Sequence, residues 1–467
     1  MGKLTGFKRI IGDKNIKAGF WYTASNILNK AIGFLTMPIF TRLLLPEEYG
    51  IVNTYLAWVG IIGIVIGLFL YSSVMTAVKD YENNIDEYMS SVLFLSFISF
   101  AVIGSAIFGG AVLMKVDIPL IIVSFAIVQA YSEFILTFYC QKLIMDGKYK
   151  LYSVLNSAIP LFNVILSLIL IFTVMNNDRA TARIFSAFFV ESVEAVVIAC
   201  IILCKSRKLV NLEYWKYALK YSLPLIVHGG ALYILAQSDR LMITHFAGSE
   251  QTGIYSLVYN FGMIAQMVAT SLNNIWMPFF ATNVSENNNK EIDKKAKVFT
   301  SFFSIITIII LLVSPEAIKL MASSKYWSGI SMLVPITLSA FVMFVYSFYA
   351  NTERYYKKTA IVSICTLIGA VVNIVLNFYF IPIYGSVAAA YSTLIAYFVS
   401  AVIHYFVARK CNSHCLNIKI FTNSILAVIA VSVIACFAQE YVYLRWIVAL
   451  VCSIIYGAII IKSWKKI

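Results

Sequence analysis

Charge is what this chain of 467 residues has least of: Asp, Glu, Lys and Arg together make 12% of it, against roughly 25% in an ordinary soluble domain. So few charges cannot cover a water-facing surface, which excludes a soluble enzyme before any motif is considered. Phosphate-binding chemistry is missing too. No GxxxxGK[ST] occurs, and Gly147-Lys148 is followed by Tyr149, so direct ATP coupling is not expected. HExxH and GxSxG are absent, and no external loop is long enough to hold a catalytic domain with paired carboxylates. These absences together argue against an enzyme. With four His and eight Cys, all eight in apolar runs or basic loops, a disulfide framework is not expected. Cys411, His414 and Cys415 share one basic loop but lack a fourth zinc ligand, so unpaired loop residues are the preferred reading.

Apolar side chains are abundant, at 61%, with a mean hydropathy of +0.84, and the 33 Phe and 29 Tyr exclude a disordered chain. The fold class expected is an all-α polytopic membrane protein. Runs of about 20 apolar residues, enough to cross a hydrocarbon layer of about 30 Å, start near Ala18, Tyr49, Met89, Pro119, Leu151, Arg183, Tyr221, Thr252, Lys297, Gly329, Ala360, Gly385, Ile420 and Tyr443. That gives about fourteen transmembrane helices, the last pair being the least secure. The basic N-terminus runs into the first of them without a small-residue cleavage site, and so reads as an uncleaved helix.

The net charge of +14 is not a nucleic-acid signal, because its basic residues form short clusters between apolar runs. Of the 36 Lys and Arg, 27 fall in loops on one side of the predicted membrane, from Lys3, Lys8 and Arg9 to Lys465 and Lys466. Only Lys115, Arg179, Arg183, Lys319, Lys325 and Arg445 fall on the other. The bias places both termini in the cytoplasm. Lys30, Arg42 and Arg240 are left within spans.

Thr41, Glu47, Gly50 and Ile51 recur 203 residues later as Thr244, Glu250, Gly253 and Ile254. Six spans separate the copies, so both halves enter the membrane the same way, as a parallel repeat about an axis along the membrane normal. The expected domains are residues 1–210 and 211–410 as two six-helix lobes, and 411–467 as a C-terminal helix pair. That is a transporter layout, with substrate between the lobes.

Ionisable and polar residues at membrane depth are costly and mark candidate sites. Thr23, Asn26 and Lys30 share a helical face, as do Gln129, Glu133 and Thr137. Glu191 and Glu194 lie in the sixth span. Tyr233, Gln237 and Arg240 share a face of the seventh, with Asp239 beside them and His228 a turn below. Tyr255, Tyr259 and Gln266 follow in the eighth. Lys30, Arg42 and Arg240 would line a cavity suited to a diphosphate or acidic sugar, with Asn26, Tyr233, Gln237 and Tyr259 meeting sugar hydroxyls. The plainer alternatives are that Lys30 pairs with Asp239 or Glu133 and that Arg42 reaches toward headgroups. Asn373, Asn377 and Thr393 with Asp239 offer oxygens to a small hard cation, although spacing alone favours interhelical hydrogen bonds.

Two segments carry a family resemblance. Pro38-x3-Arg42-x3-Pro46-Glu47-Glu48-Tyr49-Gly50 resembles the first external turn of polysaccharide flippases (the Wzx or PST type) of the multidrug/oligosaccharidyl-lipid/polysaccharide exporter superfamily. Ser238-Asp239-Arg240-Leu241, with Gly248 and Gly253-Ile254-Tyr255-Ser256, resembles the corresponding turn of their second half. The resemblance implies a V-shaped pair of lobes in the bacterial cytoplasmic membrane. These move undecaprenyl-diphosphate-linked oligosaccharide outward on an ion gradient, for O-antigen, capsule or exopolysaccharide. It implies no tightly bound cofactor, with sodium or protons as the coupling ion. Membrane lipids and the polysaccharide polymerase and chain-length machinery are the implied partners. The related lipid-II flippases imply a lipid-tail groove at the last two helices and a sodium site at Asp239, Asn373, Asn377 and Thr393, with Asn377 standing where they carry a second Asp. Glu133 is a further ion-coupling candidate. Spans two and eight contain no Lys or Arg, which disfavours a peptidoglycan role. A multidrug extruder of the same superfamily is the alternative, and a membrane glycan polymerase or ligase a weaker one.

Overall fold

The structure, a computed structural model, describes residues 14–464. The basic cluster Lys3, Lys8 and Arg9 and the terminal Lys465 and Lys466 lie outside the described residues, as do the side chains of Thr23 and His228. Among the described residues there are fourteen long helices. They are α1 (Lys14–Leu43), α2 (Pro46–Gly67), α3 (Ile85–Leu113), α4 (Leu120–Met145), α5 (Tyr149–Thr173), α6 (Arg179–Lys205) and α7 (Leu212–Ala247), followed by α8 (Ser249–Ser285), α9 (Asn289–Met321), α10 (Leu333–Tyr355), α11 (Thr359–Tyr384), α12 (Ser386–Cys411), α13 (Thr422–Phe437) and α14 (Val442–Trp464). No strand occurs among the described residues.

The chain is an all-α polytopic membrane protein. Nine of the described helices are long and apolar enough to cross a membrane: α2–α6 and α9–α12. Helix α11 shows why a lipid solvent is required. It buries Val362, Cys365, Gly369, Asn373, Asn377 and Ile381 on one stripe. Its other faces expose Ile364, Leu367, Val371, Val375 and Phe378, a patch no water-facing helix would present. Helix α13 and the stretch Val442–Ala458 of α14 are apolar but shorter. The remaining three, α1, α7 and α8, do not reach that measure over their described residues. Helices α7 and α9 begin earlier than the apolar runs suggest, because charged first turns (Glu213, Lys216; Glu291, Lys294) extend them past the apolar segment.

The chain forms two compact units, residues 14–44 with 51–234, and residues 45–50 with 235–464. In the first, α1 packs on α5, and α4 and α5 on α6. In the second, α10 packs on α12 and α8, α11 on α12, and α14 on α9. Its core is aromatic: Trp276 meets Phe348 edge-on at 4.6 Å, and Phe303 lies 4.3 Å from Phe344. The C-terminal pair is fastened to it by Arg445, which is fully buried, pairs with Glu316 and donates to the Leu312 carbonyl at 3.2 Å. Arg445 and Arg183, counted above with the short loops, thus lie inside helices. Arg183 donates to Asn163 Oδ1 at 2.6 Å and to Ser167 Oγ at 2.9 Å.

Helices α2 and α8 start at Pro46 and Ser249, again 203 residues apart. Pro46 supplies a preset φ at the first helical position, and Glu48 reaches back to accept from the Leu45 N–H at 2.7 Å. The two equivalent turns meet within the second unit. A Cβ on Gly50 would lie 1.7 Å from the Ser249 carbonyl oxygen, and one on Gly253 would lie 1.9 Å from that of Pro46. Those contacts are reciprocal under the 203-residue shift, as a local two-fold between equivalent turns produces.

Candidate functional site

Asp239, on α7, is 5% exposed and sits at the centre of a hydrogen-bonded cluster drawn from four helices. Tyr255 of α8 donates its hydroxyl to Asp239 Oδ2 at 2.7 Å, and Thr393 of α12 to the same oxygen at 3.0 Å. Asn377 of α11 donates Nδ2 to Asp239 Oδ1 at 2.6 Å and to Asn373 Oδ1 at 3.2 Å. Asn373 closes the ring by donating to Thr393 Oγ1 at 3.1 Å. The i, i+4 spacing of Asn373 and Asn377 puts both on the buried stripe of α11. The structure therefore brings together the four residues Asp239, Asn373, Asn377 and Thr393. Tyr255 completes the ring.

One atom of this cluster is unsatisfied. Asn377 Oδ1 is buried and has no hydrogen-bond partner, which leaves an acceptor uncompensated. Rotating the amide by half a turn would aim Oδ1 at Asp239 Oδ1 and Asn373 Oδ1, so that three oxygens converge. That arrangement needs a positive charge between them; the observed one needs none. The cluster can thus be written in two forms, one closed by N–H donors and one suited to a small oxygen-seeking cation. Beside Thr393 lies a cavity of about 20 Å³, also walled by Tyr259, Gln266, Ser339 and Tyr397, which is room for roughly one water.

Arg240 stands next to this cluster. It is half-buried, donates to Gln237 Oε1 at 2.8 Å, and holds its guanidinium 4.9 Å above the Tyr259 ring. Gln237, Arg240 and Tyr259 thus form a cationic, aromatic and amide group in the second unit.

The first unit holds the other candidates. Glu133 on α4 opens into a cavity of about 160 Å³, lined also by Thr137, Tyr71, Phe69, Gly60 and Tyr233. Tyr233 shares this cavity with Glu133. Its hydroxyl occupies the space over Gly60, where a Cβ would lie 1.7 Å from it. Gln129 faces away and accepts from the Tyr55 hydroxyl at 2.6 Å. Asn26 is committed to α5, accepting from Asn156 at 3.3 Å and Tyr152 at 3.5 Å. Lys30 is exposed and, among the described residues, forms no salt bridge with Glu133 of its own unit. Arg42 is exposed in the last turn of α1, where a cation suits the helix C-terminus. Cys411, His414 and Cys415 are not gathered into a ligand set; Cys415 is buried and His414 exposed.

Sequence reasoning missed the buried group Glu353, Cys365 and His404, because Glu353 reads as part of the charged stretch with Arg354, Lys357 and Lys358. It also missed Tyr255 as a ligand of Asp239, although the i, i+4 pair with Tyr259 was visible.

A family model described as polysaccharide biosynthesis protein matches residues 16–284. The chain belongs to that family. A second model, MatE, matches residues 224–379. The chain is 23% identical over 420 residues to the capsular polysaccharide biosynthesis protein CapF of Staphylococcus aureus, covering 83% of this chain and 97% of that one. It is 21% identical over 375 residues to a protein of the Lsg locus of Haemophilus influenzae, covering 77% and 90%. Among solved structures, the lipid II flippase MurJ in its inward closed conformation superposes with a TM-score of 0.75 at 14% identity, over 95% of this chain and 99% of that one. An inward-facing multidrug resistance MATE transporter superposes at 0.56 and 15% identity, over 82% and 95%. These structural relatives are a flippase and a transporter, not enzymes. Both turns lie within the matched segment, so their resemblance to a polysaccharide-biosynthesis family is borne out.

Proposed function

We propose that this protein is a flippase that carries undecaprenyl-diphosphate-linked oligosaccharide repeat units across the bacterial cytoplasmic membrane by ion-coupled alternating access. Both termini are cytoplasmic in this reading, as the bias of Lys and Arg suggests. Membership of the polysaccharide biosynthesis family supports the substrate class. The observation that carries ion coupling is the orphaned Asn377 Oδ1 beside Asp239, within reach of Asn373 and Thr393. Asp239, Asn373, Asn377 and Thr393 bind the coupling ion, with sodium favoured by their oxygens. Only one carboxylate contributes, so the site is weak and exchanges its ion readily. Glu133, facing its own cavity, is the second candidate for the coupling proton or ion.

Substrate contacts fall to Arg240, Gln237 and Tyr259 in the second unit, and to Lys30, Asn26, Arg42 and Tyr233 in the first. Arg240 favours a diphosphate electrostatically, and the Tyr259 face and Gln237 amide suit a sugar. The MatE match over residues 224–379 favours the extruder as second reading. A cationic drug would have to sit beside Arg240, which weighs against it. In cells lacking the protein, wild type should restore externally accessible lipid-linked oligosaccharide and Arg240→Ala should restore less than a tenth of it. Restored resistance to cationic dyes with unchanged lipid-linked oligosaccharide would favour the extruder instead.

A further inference from the structure

Three side chains that the transport reading does not use meet inside the second unit. Glu353 lies in the last turn of α10, Cys365 in the second turn of α11, and His404 two turns from the end of α12; they are 0%, 2% and 1% exposed. A carboxylate oxygen, the thiol sulfur and a ring nitrogen all lie within 4.8 Å of one another. Among the described residues no other group of three or more His, Cys, Asp and Glu side chains does so. His404 Nδ1 is 3.0 Å from both Glu353 oxygens, and its ring is stacked on Tyr346 at 5.2 Å with 7° between planes. Its ring plane is thereby fixed. His404 is also the only hydrogen-bond partner of the Glu353 carboxylate among the described residues. A single imidazole N–H leaves most of that buried carboxylate's lone pairs unserved.

We propose that Glu353, Cys365 and His404 form a binding site for a borderline divalent transition metal of the zinc type, which clips α10, α11 and α12 together. Imidazole nitrogen, thiolate sulfur and carboxylate oxygen are the three ligand kinds such ions take, whereas magnesium and calcium want oxygen alone. A tetrahedral ion with bonds of about 2.0–2.3 Å spaces its donors about 3.3–3.8 Å apart, which small side-chain rotations reach from the observed cluster. Charge also closes. A divalent ion, one thiolate, one carboxylate and a neutral imidazole sum to zero, so the loaded centre can stay buried. The Cys365 proton leaves to solvent when the metal–sulfur bond forms, the His404 proton shifts from Nδ1 to Nε2 so that Nδ1 can bind, and the fourth position holds water. Helices α11 and α12 also carry Asn373, Asn377 and Thr393, so the clip would steady the elements that bear the ion site. It does not depend on the flippase reading.

The test is titration of the full-length protein in detergent with Co(II), which replaces zinc and reports thiolate ligation by a near-ultraviolet charge-transfer absorption. One equivalent should produce that absorption, and Zn(II) should abolish it by displacement. Cys365→Ser should lose it, Cys415→Ser should keep it, and zinc should raise the Tm of wild type but not of Cys365→Ser. Wild-type protein that elutes as a single species yet shows no such absorption in excess Co(II) overturns the proposal, whatever the variants do. So does an absorption that survives Cys365→Ser or vanishes with Cys415→Ser.

Discussion

Asp239 accepts three hydrogen bonds while almost wholly buried, and the amide beside it has an acceptor with nothing to accept. Two substitutions separate the roles of these groups. Asp239→Asn keeps the shape but removes the only carboxylate of the ring, so sodium-stimulated transport should be lost while the protein still purifies as a folded species. Asn377→Asp adds a negative charge among the converging oxygens and should tighten sodium binding about tenfold or more, measured by sodium-dependent protection from thermal unfolding. An Asn377→Asp protein no more sodium-responsive than wild type would argue against a cation site there. The types and helical spacing of Asn373, Asn377 and Thr393 were readable from the sequence, and their grouping with Asp239 came through the family resemblance rather than from spacing. Spacing places two side chains on one face of one helix; which face meets which helix depends on packing among four helices. Lys30 shows the limit from the other direction. It looked like a residue in need of a counter-charge, and the structure leaves it exposed instead.

At the level of elements, α2 and α8 are the informative pair. Their first turns match in sequence, start 203 residues apart and touch through Gly50 and Gly253. A methyl group at either position would collide with a carbonyl oxygen of the other turn. Gly50→Ala and Gly253→Ala should therefore destabilise by similar amounts, about 1–3 kcal/mol each, seen as matched falls in Tm. Unequal losses, with one variant unaffected, would contradict the reciprocal contact. The repeat was legible because turns need particular residues, while the apolar helices between them tolerate many. The same tolerance hid Arg445. It counted as a loop cation because the hydropathy of α14 gave no sign that α9 offers Glu316 and the Leu312 carbonyl. Arg445→Leu would leave Glu316 without its cation, costing about 3 kcal/mol and loosening α14, which increased proteolysis of the C-terminal pair would register.

For the whole molecule, fold class was legible from composition alone, since 12% charge and long apolar runs admit little else. The family was legible through the two turns that resemble it, and the proposed substrate class follows from that likeness together with the cationic candidates Lys30, Arg42 and Arg240. The residues that would touch a glycan are few, cationic or neutral, and divided between the two compact units, so no single helix displays them. In the proposed mechanism, transport of a lipid-linked glycan depends on an ion held at Asp239. The most direct measurement is the fraction of undecaprenyl-linked oligosaccharide reached by a membrane-impermeant glycan-modifying probe, in cells lacking this protein and carrying wild type, Lys30→Ala or Asp239→Asn. Probe-protected oligosaccharide is expected in the deletion, with release by wild type, partial release by Lys30→Ala, and none by Asp239→Asn expressed at equal level. Full release by Asp239→Asn, or a deletion whose oligosaccharide is as accessible as in wild type, would contradict it.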